Sequence, residues 1–176
     1  RLASIIDGNE EIKDIQIVRI HEQRDYYPIT ENQRGVYVAW ELNRDTTQYN
    51  LPHLRKYSGI RVEDLRDALV EVVDVHPILK ARMAIVDGDV MQQRRDNDET
   101  VVSVTLLKDA PTESFFQSRV RPFDLQNDNL YRLEIYQYED NVYLFMDFHH
   151  IVFDGNSTIV FESDLQSILN NLPTKE

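Results

Sequence analysis

The sequence predicts a mixed α/β domain of the α+β type, a largely antiparallel sheet with flanking helices. Three observations predict it. Several stretches carry apolar residues at helical spacing, and others are rich in β-branched and aromatic residues at alternating spacing. The strand-like stretches come in pairs around "DG" (87–88) and "EDN" (139–141), which are turn chemistry for hairpins. After Gly155 the period changes from strand to helix. A doubly wound nucleotide-binding sheet is not expected, because the chain has no G-x-G-x-x-G, no Walker lysine loop and only 5 glycines.

Taken in order, residues 1–25 read as a linker or the tail of a preceding domain, and 26–176 as the domain itself. Thr30 with Gln33 three residues on matches a capping box, and Val36, Tyr37 and Trp40 follow at helical spacing, which predicts a helix over 31–42. "NLPHLRKYSG" (50–59) reads as a short strand. Val62, Leu65, Leu69, Val72 and Val73 predict a second helix, stopped by Pro77. "KARMAIVDGDVMQQR" (80–94) is a hairpin, and "TVVSVTLL" (100–107) is a further strand. A short helix over 112–120 is followed by "RPFDL" (121–125). "LYRLEIYQY" (130–138) and "VYLFMDFHH" (142–150) form the second hairpin. Ile159, Val160, Leu165, Ile168 and Leu169 then mark a closing helix.

Composition excludes several functions. With 41% apolar and 28% charged residues, the chain is globular rather than disordered. A formal net charge of −12 makes nucleic acid a poor partner, since phosphate contacts need clustered lysine and arginine. No cysteine is present, so a disulfide scaffold, a thiolate nucleophile and a sulfur-ligated zinc site are excluded. That is compatible with a cytoplasmic location. No apolar run is long enough to span a bilayer and no secretory signal is found, so no membrane partner is expected. A start at Arg1 reads as a piece cut from a longer polypeptide.

The chemistry-bearing stretch is "FMDFHHIVFDGNST" (145–158). Side chains alternate along a strand, so Val142, Leu144, Met146, Phe148 and His150 share one face, while Tyr143, Phe145, Asp147 and His149 share the other. Both faces are largely apolar, as in an interior strand covered on each side. His149 and His150 then diverge, and at most one can face a given substrate. The same divergence argues against a metal site completed by Asp147 or Asp154. On residue chemistry alone two readings stay open: both imidazoles buried and hydrogen-bonded, or one of them aimed at a substrate.

"HHIVFDG" (149–155) has the form H-H-x-x-x-D-G and resembles the active-site motif of condensation domains of nonribosomal peptide synthetases. It is also related to the H-x-x-x-D-G of chloramphenicol acetyltransferase-like acyltransferases. Three further blocks stand in the family's order. "YPITENQRGVY" (27–37) is similar to the opening helix with its glutamine and aromatic, "VVDVHPILKARM" (72–83) to the second block, and "RPFDL" to the segment before the last hairpin. "RLASII" (1–6) more weakly resembles the closing helix of a carrier protein.

The resemblance implies one lobe of a two-lobed chloramphenicol acetyltransferase-like fold, with the active site in the cleft and the second lobe absent from this chain. It implies amide formation between an acyl or aminoacyl thioester on one carrier protein and an aminoacyl amine on another. No cofactor or metal is implied as bound directly, because phosphopantetheine arms of upstream and downstream carrier domains deliver the substrates. By the same resemblance His150 faces the reaction tunnel as the catalytic residue and His149 turns inward to hold the loop. Asp154 is structural, paired with an arginine for which Arg82 and Arg121 are candidates, or with one that lies elsewhere. Gly155 permits close backbone approach and offers its amide to an oxyanion, or simply ends the turn. His76 is expected to cap carbonyls or fill a junction, and Tyr37, Trp40 and Phe123 to be core. Competing readings are an epimerising lobe, which keeps the same motif, and a non-catalytic lobe that recruits carriers or tailoring enzymes, which often loses the second histidine. A cyclising lobe is disfavoured by the intact histidines. A free-standing acyltransferase using coenzyme A is disfavoured by the second block and the carrier-like start.

Overall fold

Helix α1 (Glu31–Leu42) begins where the capping box places it: Thr30 Oγ1 accepts from Gln33 N–H, and Gln33 Oε1 accepts from Thr30 N–H at 2.9 Å. In the computed structural model, which describes residues 24–171, the remaining elements follow in order. Strand β1 (Tyr26–Pro28) precedes α1; β2 (Asn50–Ser58), α2 (Val62–Asp74), a 3-10 turn (Pro77–Lys80), β3 (Arg82–Val86) and β4 (Asp89–Gln93) come after it. Then come β5 (Ser103–Leu106), α3 (Glu113–Gln117), β6 (Tyr131–Tyr138), β7 (Asn141–His149) and α4 (Gly155–Asn171). The linker expected over 1–25 lies, up to residue 23, outside the described residues.

The strands form two sheets, in the orders β1-β4-β3 and β2-β7-β6-β5. Every pairing is antiparallel except β5 with β6. The first hairpin turns on Asp87 (φ 52) and Gly88 (φ 89), the positive angles its sequence predicts. It does not join the main sheet. It pairs instead with β1, a three-residue strand ending on a proline and too short to show a period.

Strand β7 is an interior strand, flanked by β2 over Asn141–His149 and by β6 up to Phe148. Its two faces are both buried, as the alternation requires. Val142, Leu144, Met146 and Phe148 join the main core with Leu65, Leu69, Val72 and Val73 of α2 and with Phe161 and Leu165 of α4. Phe145 packs on the opposite face in a smaller cluster with Phe116 and Tyr136, Tyr143 lying against it. Fully burying each such aliphatic side chain contributes roughly 1.5–3 kcal/mol, so α2, with four of them at 0% exposure, clamps the sheet firmly. Tyr37, Trp40 and Phe123 are core, as expected. Strand β7 therefore cannot shift, and its last residue, His149, is delivered to a fixed place.

Candidate active site

The chain leaves β7 through a tight loop, residues 150–154, before α4 begins at Gly155. Its floor is His149, 2% exposed, with its N–H on the Leu130 carbonyl (3.0 Å) and its ring edge-on to Phe123. The His149 Nδ1 accepts from the Ile151 amide at 3.2 Å. An amide only donates, so Nδ1 is unprotonated and the ring is the neutral Nε2–H tautomer. Burial, helped by the nearby His150 and Arg132 charges, pushes this imidazole down to about 4.

His150 is exposed. Its backbone N–H bonds the Tyr49 carbonyl (2.8 Å), and its ring Nδ1 lies 3.0 Å from the Phe153 carbonyl oxygen. A carbonyl only accepts, so Nδ1 carries a proton, and in the neutral ring the lone pair is on the exposed Nε2 side. Phe153 is itself fixed, its ring stacked on Phe148 at 3.9 Å with Phe161 against its edge. The core thus holds the acceptor that sets the tautomer of an exposed histidine.

Below the floor lies a buried polar cluster that sequence reasoning missed. Asp147, 0% exposed, accepts from Asn50 Nδ2 at 2.7 Å and from Arg132 Nη1 at 3.1 Å. Arg132 also donates to the Arg121 and Pro122 carbonyls, and its guanidinium sits 3.5 Å from the Phe123 ring centre. Burial raises the Asp147 carboxyl and lowers the Arg132 guanidinium despite their pairing, so desolvation outweighs the attraction for both. Asp147 Oδ1 and Asn50 Oδ1 are enclosed with no hydrogen-bond partner. The cluster's gain is placement: Arg132 and Asn50 moor "RPFDL" under His149, while Phe123 O accepts from Trp40 Nε1 at 2.8 Å. One signal was available in the sequence, a charged residue at position 147 in an otherwise apolar interior strand, which requires a buried partner.

Asp154 corrects an expectation. Its carboxylate accepts from Ser157 N–H and Ser157 Oγ, both at 2.7 Å, and it is exposed. Those bonds hold its carboxyl below the ordinary range. It is the N-cap of α4, and among the described residues it forms no ion pair with an arginine. Arg82 bonds Asp98 and Asn129, and Arg121 pairs with Glu134; neither reaches Asp154. The physical reason is local, because a helix starting at Gly155 leaves orphan amides within reach of residue 154 and of no distant arginine. At Gly155 itself, an added Cβ would meet nothing within 4 Å, so no packing in this lobe requires the glycine.

The other blocks converge on the same loop. Gln33 Nε2 donates to the Ile151 carbonyl at 3.0 Å across 118 residues of sequence. His76, at the helix–turn junction, bonds Asp164 of α4 at 2.9 Å. An apolar groove of about 340 Å³ runs between His76 and Leu79 on one side and Phe153, Asp154, Ser157 and Phe161 on the other. Among the described residues, no group of three or more His, Asp or Glu is placed to hold a metal ion, and no helix is long and apolar enough to cross a membrane.

A profile of the condensation domain family matches residues 23–176, and the chain belongs to that family. It is 28% identical over 171 residues to surfactin synthase subunit 2 of Bacillus subtilis (strain 168), covering 95% of this chain and 5% of that protein. To tyrocidine synthase 2 of Brevibacillus parabrevis it is 29% identical over 164 residues, 92% of this chain and 4% of that one. The fold is similar to the starter condensation domain of rhizomide synthetase RzmA (TM-score 0.73, 15% identity, 87% of this chain and 40% of that one). It is also similar to a structure of the X-domain with OxyB from teicoplanin biosynthesis (TM-score 0.72, 25% identity, 85% and 33%). The chain thus spans a small fraction of these curated relatives and well under half of the solved domains it resembles.

Proposed function

We propose that this chain is the amino-terminal lobe of an amide-forming condensation domain, acting with a second lobe of the same domain and with carrier proteins on either side. The single observation that carries the reading is His150: exposed, on a loop whose neighbours are fixed, with Nδ1–H turned to Phe153 and Nε2 left as a free acceptor. Family membership supports the class of reaction, and the geometry of the ring supports the role.

In this reading a donor thioester and an acceptor amine arrive on phosphopantetheine arms, and no further cofactor is required. The amine nitrogen attacks the thioester carbonyl, and the N–H proton passes to His150 Nε2 as the tetrahedral centre forms. Collapse expels the sulfur, which leaves as a thiol after taking that proton, and the new C–N bond is the amide. In the neutral ring the Nδ1 proton serves Phe153, which leaves the lone pair on Nε2, so no tautomer change precedes the step. His149 takes no part in this transfer; it supports the loop from below. The amide of Gly155, opening α4, is positioned by the Asp154 cap.

The test uses the protein in which this chain continues into its second lobe, with two loaded carriers and single-turnover detection of amide. The intact protein should form the product and lose that ability on His150→Ala. The 176-residue chain by itself should melt cooperatively and form none. A folded, complete domain that forms no amide yet binds carriers or a tailoring enzyme would point instead to a recruitment lobe.

A further inference from the structure

We infer that Gln33 is a positioning residue for His150, acting through the carbonyl of Ile151. The inference rests on the role proposed above for His150, and it concerns a side chain 117 positions away in the chain.

Residues 149–153 are held by a short set of bonds. His149 N–H reaches Leu130 O, His150 N–H reaches Tyr49 O and Val152 N–H reaches His149 O. Ile151 N–H reaches His149 Nδ1, and Phe153 O receives His150 Nδ1. These fix the loop to strand ends and to itself. The Ile151 carbonyl is the remaining handle between the two ring contacts, and Gln33 Nε2 takes it at 3.0 Å. With that peptide held, Phe153 O stays in place to receive Nδ1, and Nε2 keeps its direction.

The orientation of the Gln33 amide is unambiguous. Its Oε1 meets Thr30 N–H, which only donates, at 2.9 Å, and its Nε2 meets Ile151 O, which only accepts. The second Nε2 proton is directed at Gln92 Oε1 of β4, 3.5 Å away. One half-buried amide therefore joins the start of α1, the small sheet and the motif loop. A helix cap by itself needs only the oxygen; glutamate serves equally well at this position of a capping box. The donor end is the part that capping leaves unexplained.

That separation supplies the test. Gln33→Glu keeps the cap oxygen and replaces the donor by a second carboxylate oxygen facing the Ile151 carbonyl. Thr30→Ala removes the cap hydroxyl and keeps the donor. The ring nitrogens of His150 are read by nitrogen NMR in this chain with labelled histidine, without substrate. In the wild type and in Thr30→Ala, His150 should hold the Nδ1–H tautomer. In Gln33→Glu it should shift towards the Nε2–H form, with the single-turnover amide rate of the complete domain falling about tenfold to a hundredfold, the range that small misplacements cost. Gln33→Met, which fills the same volume with no polar end, gives the same reading should the glutamate variant not fold. Unchanged His150 nitrogens in the folded Gln33 variants, or an equal shift in Thr30→Ala, would overturn the inference. If the wild-type domain makes no amide, the proposed reaction fails while the NMR comparison still decides the role of Gln33.

Discussion

His149 is buried with its ring against Phe123 and Tyr49, whereas His150, the next residue, is exposed. The contrast extends to their surroundings. The floor of the loop is the buried His149, and below it Asn50 and Arg132 are bonded to the buried Asp147. The rim consists of His150, Asp154 and Gly155, each exposed, with His150 bonded to Phe153 and Asp154 to Ser157. A catalytic group needs a free lone pair and substrate access, yet its position must not wander. Under the proposed function the chain would meet those demands separately, with the rigid His149 one residue before the exposed His150. Substitutions in the floor should therefore be read in stability, as should those of the capping Asp154, and those of His150 in rate.

The largest expected effect tests the rim. His150→Ala in the complete domain should lower the single-turnover rate by about a hundred- to ten-thousandfold, the usual contribution of a positioned proton acceptor. Its melting temperature should stay close to wild type, since the ring is exposed. A rate within a few-fold of wild type would reduce His150 to a bystander. The next effect tests the floor. Arg132→Ala strands a carboxylate at 0% exposure and should cost about 3–5 kcal/mol, measured by denaturant unfolding of this chain. Replacing both partners, Arg132→Met with Asp147→Leu, should cost less than Arg132→Ala alone, because desolvation outweighs pairing for both groups. A double variant worse than the single one would mean the ion pair is a net stabiliser.

Much of this arrangement is legible in the sequence, and what is not has identifiable physical reasons. Helix α1 carries its cap and period locally and α2 its period, and the interior character of β7 follows from its apolar residues on both faces. The divergence of the two histidines follows from strand alternation. The Arg132–Asp147 pair does not, because it depends on the register of β6 against β7, and register is set by the whole sheet. Strand β1 escaped because three residues including Pro28 have no period to detect. Asp154 is a different case. Its D-x-x-S spacing to Ser157 ahead of a helical run is a readable N-cap, but the family resemblance drew attention to a distant arginine instead.

A third prediction uses pH. Burial sets the His149 imidazole at about 4 in the fold against an ordinary value near 6.5. The unfolded chain thus takes up a proton that the folded chain refuses. Stability is full well above pH 6.5 and falls as pH drops, the slope approaching about 1.4 kcal/mol per unit near pH 5 and fading again at about 4. His149→Asn places an amide oxygen near the position of Nδ1, so the Ile151 amide keeps its acceptor while the titration is removed. Stability curves of the two proteins between pH 6.5 and 5 should differ in slope by up to that amount. Parallel curves would show that His149 is not held neutral by its burial.

The smallest effect decides what Asp154 does. As an exposed N-cap its loss should be modest: Asp154→Ala should lower the melting temperature of this chain by about 2–4 °C, the shift that a lost cap causes in a protein of this size. A buried ion pair would cost far more, and a member of a catalytic triad would cost rate without stability. The cap reading also specifies which replacements are tolerated. Serine and asparagine accept from the same amides, so Asp154→Ser and Asp154→Asn should recover most of the loss and keep α4 starting at Gly155. Ser157 holds the Asp154 carboxyl below its ordinary range, so its stabilising contribution is present above that range and disappears as pH falls through the lowered value. Asp154→Asn should show no such acid-side loss at this position. If Asp154→Asn instead melts like wild type but halts amide formation as completely as His150→Ala, the negative charge itself serves the reaction. Asp154 would then have to be moved from the scaffold of the rim to its chemistry.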